Sequence, residues 1–212
     1  MPVLPVYNAK PAVRSGEMIY DGETYTVIMY INPVKLSRAH KNALVDRLGK
    51  RQFKGKTCLG TTKEEAAATL KEGDYSLVAF VGAVGTDDFA SGALQYYDFY
   101  TPDGEGPPQF WVTDLCRPDN IVPRSIKSPI PPIMKLFDDI ARAHGVDAIH
   151  LMVAKDPEEN KTFLLKKYGE MGYAPTDEQV DEEHVYMKKP LAPADIESIA
   201  VQTKGLKITK KV

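Results

Sequence analysis

Between Pro129 and Tyr173 the hydrophobic pattern changes period twice. In PIPPIMKLFDDIARAHG the apolar residues Ile133, Leu136, Phe137, Ile140 and Ala141 recur at helical spacing. Pro131-Pro132 stands at the start and Gly145 just past the end, which predicts one amphipathic helix. Ala148–Ala154 is an apolar run too short for a helix and bounded by polar residues, so it predicts a mostly buried strand. A second helix follows, with Asp156 as N-cap, Pro157 at the first helical position and Glu159 where a capping box places an acid. Leu164, Tyr168 and Met171 share one face of it, and Gly172 can close it in a left-handed conformation.

Upstream, Pro108–Leu115 is strand-like, so strand, helix and strand predict a right-handed parallel crossover. Two earlier strands, Tyr75–Val84 and Ala90–Tyr100, are joined by a Gly-Thr-Asp-Asp turn and are expected to be antiparallel. Glu23–Ile31, rich in β-branched and aromatic residues, is the first strand. Between these lie a helix from Val34 to about Phe53, with one basic face, and a short alanine-rich helix opened by the capping box Thr62-Lys63-Glu64-Glu65. Residues 100–108 read as a loop, and 184–189 as the last strand. Residues 1–22 are expected to be an extended arm, 23–190 the domain and 191–212 a tail that ends in a basic run.

Composition narrows the function classes. With 212 residues, 43% hydrophobic and 26% charged, the chain suits one soluble domain with some extra length. No apolar run approaches a membrane span and no secretory signal opens the chain, so a cytosolic protein is expected. A net charge of -2 gives no case for nucleic-acid binding. Cys58 and Cys116 lack metal-ligand spacing, and four scattered histidines, His40, His144, His150 and His184, read as packing residues, so no metal site is expected.

The order of elements resembles the GNAT superfamily of N-acyltransferases, and Tyr168-Gly169-Glu170-Met171-Gly172-Tyr173 is similar to that family's helix tyrosine followed four residues later by Gly-Phe or Gly-Tyr. The resemblance spans roughly residues 24–190. It implies an α/β (α+β) fold: a mixed sheet, mostly antiparallel, with a central parallel pair joined by a crossover helix. It also implies acetyl-CoA-dependent transfer to an amine. The family binds the pyrophosphate with a loop of Gln or Arg, two residues, Gly, one residue, then Gly or Ala, at a helix N-terminus. The matching positions here are Arg124, Lys127 and Pro129, so the arginine is kept while both small residues are lost and a proline removes a donor.

The site residues carried over are Tyr168 as general acid to the departing thiolate and Asp114 as general base, with Asp98 an alternative base. Leu115, Arg117, Arg124, Lys127, Ser128 and Asn160 are the cofactor-binding set, although Asn160 stands one residue further from Tyr168 than the family's asparagine. Tyr168 also reads as a core aromatic, and the carboxylates as solvated rim groups. Two classes therefore compete: an N-acetyltransferase, and a GNAT-like module without catalysis that serves assembly, as in a tailed-phage virion. In either case the terminal segments are expected to contact a partner or a second copy.

Overall fold

A computed structural model describes residues 9–49, 62–72, 75–85, 89–97, 100–101, 104–105, 109–116, 128–155, 158–176 and 182–192. The chain opens with a hairpin of β1 (Ala12–Tyr20) and β2 (Glu23–Ile31), turned at Asp21-Gly22 with φ of 50° and 76°. Two successive positive φ values define the tight turn whose twist matches paired strands, and Asp-Gly adopts it cheaply. Here the expected arm over residues 1–22 is corrected: residues 12–20 form an edge strand in register with all of β2. The Asp-Gly pair was the overlooked signal.

After β2, Asn32 takes a left-handed conformation and a 3-10 turn (Pro33–Lys35) precedes α1 (Arg38–Gly49). The helix thus starts four residues later than expected from Val34, because Leu36 returns to extended backbone. The next helix, α2 (Lys63–Glu72), begins with a reciprocal capping box. The Thr62 amide donates to Glu65 Oε2 at 2.7 Å and the Glu65 amide to Thr62 Oγ1 at 3.1 Å. Strands β3 (Leu77–Ala83) and β4 (Phe89–Tyr97) follow, antiparallel as expected. The stretch read as a loop holds a two-residue ladder, β5 (Tyr100–Thr101) with β6 (Gly104–Glu105). The crossover unit comprises β7 (Gln109–Cys116), α3 (Ile130–Ala143) and β8 (Ala148–Ala154), and the chain ends through α4 (Glu158–Glu170), β9 (Ala174–Pro175) and β10 (His184–Pro190).

Eight of these strands form one sheet in the order β1-β2-β3-β4-β7-β8-β10-β9. Among the described residues its one parallel contact is β7 with β8; the other neighbours run antiparallel. Strand alternation sends Val27, Met29, Phe110, Val112, Ile149 and Leu151 to one face, where Ile133, Phe137 and Ile140 of α3 pack on them. The opposite face carries Tyr30, Val78 and Phe80 under Leu44 and Leu48 of α1 and Leu70 of α2. Among the described residues, no helix is long and apolar enough to cross a membrane.

Candidate functional site

The parallel ladder between β7 and β8 is short. It pairs Phe110 with Ile149, Trp111 with His150 and Val112 with Leu151, and it stops there although β7 continues to Cys116 and β8 to Ala154. A bulge accounts for the parting of the strands. On the other side of β7, Val112 faces Leu94 and Asp114 faces Ala93, which leaves Thr113 as the inserted residue. Such an insertion bends its strand and increases the twist locally. Beyond Val112, therefore, the β8-facing edge of β7 has no ladder partner among the described residues, and its main-chain groups line a wedge at the sheet's centre.

Tyr168 lies on α4 at about the height of this gap along β8. Ala174 pairs with Lys188, which pairs with His150, so the end of α4 is level with the middle of β8 while its start lies beyond Ala154. The Tyr173 amide donates to the Tyr168 carbonyl at 3.0 Å, so about one helical turn, roughly 5.4 Å, separates the two residues. Helical side chains lean toward the helix N-terminus, which directs the Tyr168 ring toward the level of Leu151, where the ladder opens. The ring is half-buried against the core and meets Tyr173 edge-on, with centroids 6.1 Å apart. Burial raises the Tyr168 pKa, so its proton is held more firmly than a solvated phenol's.

The other expected residues divide into three groups. Asp114 and Leu115 lie on β7 just past the ladder's end, with Leu115 half-buried against the core. Asn160 lies in the first turn of α4, and Ser128 precedes α3. Arg117, Arg124, Lys127 and Asp98 lie outside the described residues, as does the expected N-cap Asp156.

The start of α3 has an unusual donor inventory. A helix begins with four amides that lack intrahelical acceptors. Here those positions are Pro129, Ile130, Pro131 and Pro132, so three of the four have no N–H. The remaining one, on Ile130, donates to Ser128 Oγ at 3.3 Å, and the next amide, on Ile133, already donates to the Pro129 carbonyl at 3.2 Å. The first turn thus has no main-chain donor left for a ligand. Pro129 and Pro132 are also buried.

A second polar group lies at the far end of α4. Lys189 Nζ sits 2.5 Å from Asp138 Oδ2 of α3, and its ammonium lies 5.6 Å from the Tyr173 ring centroid. The Asp138 carboxyl is only 3% exposed, and burial raises its pKa even though Lys189 pulls the other way. Asp138 Oδ1 and the Tyr173 hydroxyl are buried without a partner among the described residues. Sequence reasoning missed this cluster, yet the signals were present. Asp138 interrupts the apolar stripe between Met134 and Ala141, and Lys189 continues the inward alternation of Val185 and Met187.

Two of the four histidines pack against aromatic rings, whereas His40, expected to be a packing residue, is exposed on α1. His150 stacks on Trp111 with centroids 4.9 Å apart, and His144 meets Phe110 edge-on at 5.0 Å. Among the described residues, no three His, Cys, Asp or Glu side chains gather as metal ligands.

The sequence matches no protein-family model and no curated protein. Its fold does match solved structures. The GNAT domain of S. lividans PAT aligns over 84% of this chain and 97% of its own, with a TM-score of 0.51 at 14% identity. A GNAT-family protein from Desulfovibrio desulfuricans aligns over 79% of this chain and 99% of its own, with a TM-score of 0.50 at 11% identity. The opened parallel pair, the crossover helix between its strands and these two likenesses together establish that the chain has a GNAT-like fold.

Proposed function

We propose that this protein is an acyl-CoA-dependent N-acetyltransferase that acts on an amine. The observation that carries the proposal is the wedge between β7 and β8 with Tyr168 level with its apex. Acetyl-CoA supplies the thioester; the amine nitrogen bonds to its carbonyl carbon as the carbon–sulfur bond breaks. Main-chain N–H groups on the open edge of β7 polarise the carbonyl. Asp114 takes the proton that the amine sheds, directly or through a water. Tyr168 gives its proton to the departing sulfur, a role suited by the burial that keeps that proton in place until the thiolate develops. Arg117, Arg124 and Lys127 contribute positive charge to the cofactor, with Leu115, Ser128 and Asn160 beside it.

The test is transfer of acetyl from acetyl-CoA to a panel of small amines and peptide N-termini, read as thiol release. Activity lost in Tyr168→Phe supports the assignment, and activity unaffected by that change removes it. One observation favours a second reading, a non-catalytic module that contacts a partner or a second copy through residues 1–11 and 191–212: the donor-free first turn of α3. Calorimetry with millimolar acetyl-CoA separates the two, because the module gives no heat.

A further inference from the structure

From the outer edge of β1, we infer that the protein pairs with a second copy of itself, β1 against β1 and antiparallel, so that two sheets become one. The inference stands apart from the acyltransferase assignment. The two edges of the sheet differ in how they meet water. On one side β9 is two residues long and contains Pro175, and both features stop a further strand from adding. On the other side β1 runs for nine residues, Ala12–Tyr20, in unbroken register with β2, and it contains no proline, no lysine and no bulge. Glycine has only main chain to expose. Gly16 of β1 is partly exposed, whereas Gly82 and Gly92, in the interior strands β3 and β4, are buried. Ile19, also on β1, is 65% exposed.

The hairpin decides which main-chain groups face outward. Its two-residue turn makes Tyr20 and Glu23 the closing hydrogen-bonded pair, so the alternate residues Met18, Gly16, Arg14 and Ala12 also bond to β2. Val13, Ser15, Glu17 and Ile19 lie between them and turn their N–H and C=O groups away from β2. Few registers about a two-fold axis give all of these residues a partner. With the axis at Ser15, Ile19 faces Pro11, which has no N–H. With the axis at Glu17, the two Glu17 carboxylates face each other, which is destabilising. With the axis at Gly16, Val13 faces Ile19 of the second copy and Ser15 faces its Glu17, and each pair exchanges both main-chain bonds. That register covers the exposed Ile19 with Val13 and opposes no like charges. Gly16 then meets its copy in a non-hydrogen-bonded pair, where Cα atoms approach to roughly 4.5 Å and two glycines bring no side chains to collide. Arg14 Nε is buried without a partner among the described residues. In this register Arg14 lies opposite Met18 and diagonal to Tyr20 of the second copy, whose ring can receive the guanidinium.

The experiment measures the mass of the intact chain by light scattering over a dilution series that starts at about 0.1 mM, and a dimer that dissociates on dilution is expected. Ser15→Pro removes an outward N–H and leaves the β1–β2 ladder intact, so it should weaken the dimer at least about tenfold with unchanged circular dichroism. Ser15→Glu, which sets a carboxylate opposite Glu17 of the second copy, should weaken it less, and Ser15→Lys should strengthen it. Gly16→Cys tests the axis itself. On oxidation it should give a covalent dimer on non-reducing gels that Ser15→Cys gives far less, with wild type as the control for Cys58 and Cys116. Cross-linking through Ser15→Cys in place of Gly16→Cys overturns the register. A wild-type monomer throughout the series, or a dimer that Ser15→Pro leaves unchanged, overturns the inference. In the first case slow hydrogen exchange of the Ser15 and Glu17 amides would identify a segment of the same chain as the strand beside β1, and in the second the copies meet through another surface.

Discussion

Two helices border the wedge, and they differ in how they use polar groups. The start of α3 is sealed: prolines and one serine remove every amide that a helix normally leaves open. The last turns of α4 and the segment after them do the opposite. They hold Tyr168, and they bring Tyr173 beside a buried Asp138–Lys189 pair with polar atoms still unpartnered. Both surround the same apolar frame of Ile133, Phe137, Ile149 and Leu151. The frame depends on packing, which tolerates many apolar sequences, whereas a phosphate site depends on particular N–H groups. The same frame can therefore be built by sequences that offer those N–H groups and by sequences that do not.

The sharpest way to break this contrast is Tyr168→Phe. It should lower kcat by two to three powers of ten with little change in KM, because only the proton given to the sulfur is lost. Steady-state kinetics with unchanged kcat would make Tyr168 a packing aromatic like its neighbour. Lys189→Met should cost about 3 kcal/mol in urea denaturation, since Asp138 would stay buried without its cation. The double variant Asp138→Leu/Lys189→Met should recover most of that loss. A smaller effect is expected at Gly172, which closes α4 with φ of 90°. Gly172→Ala should cost about 1–2 kcal/mol through the left-handed backbone, with no added clash, as Lys189 Cε would lie 3.4 Å from the new methyl.

The pH dependence of stability sharpens the α4 side of the comparison. Burial raises the Asp138 pKa in the folded chain, so the native state keeps a proton that the unfolded chain has released. Stability from this group is fully present below the ordinary carboxylate pKa of about 4 and is lost as pH rises through the folded value. Relative to Asp138→Asn, which does not titrate, the wild-type chain should lose stability as pH rises above about 4. A difference that instead grows with pH would mean that Lys189 outweighs burial.

Much of this molecule is legible in its sequence because the deciding interactions are local. Helical spacing gave α3, Gly145 and Gly172 marked left-handed helix ends, and the apolar run Ala148–Ala154 matches β8 residue for residue. The capping box at Thr62 formed as its residues imply, since both partners lie within one turn. The prolines at 129, 131 and 132 announced missing donors directly. The strand over residues 12–20 is concealed by its mixed polarity and by the prolines that precede it at positions 2, 5 and 11, although Asp21-Gly22 carries the turn.

Other features depend on residues brought together across the chain. Nothing in the sequence near Thr113 fixes a bulge, because a bulge is a mismatch of count between two strands and exists only once they pair. The length of the β7–β8 ladder follows from that bend and from α3 packed across both strands. Ser128 has many possible partners as a sequence; only the folded backbone gives it the Ile130 amide and closes the last donor of the turn. Asp138 and Lys189 stand 51 residues apart, and each alone resembles a solvated charge. Packing α3 against the sheet buries Asp138, half-buries Lys189 and makes them partners, because a charge removed from water must find its opposite nearby.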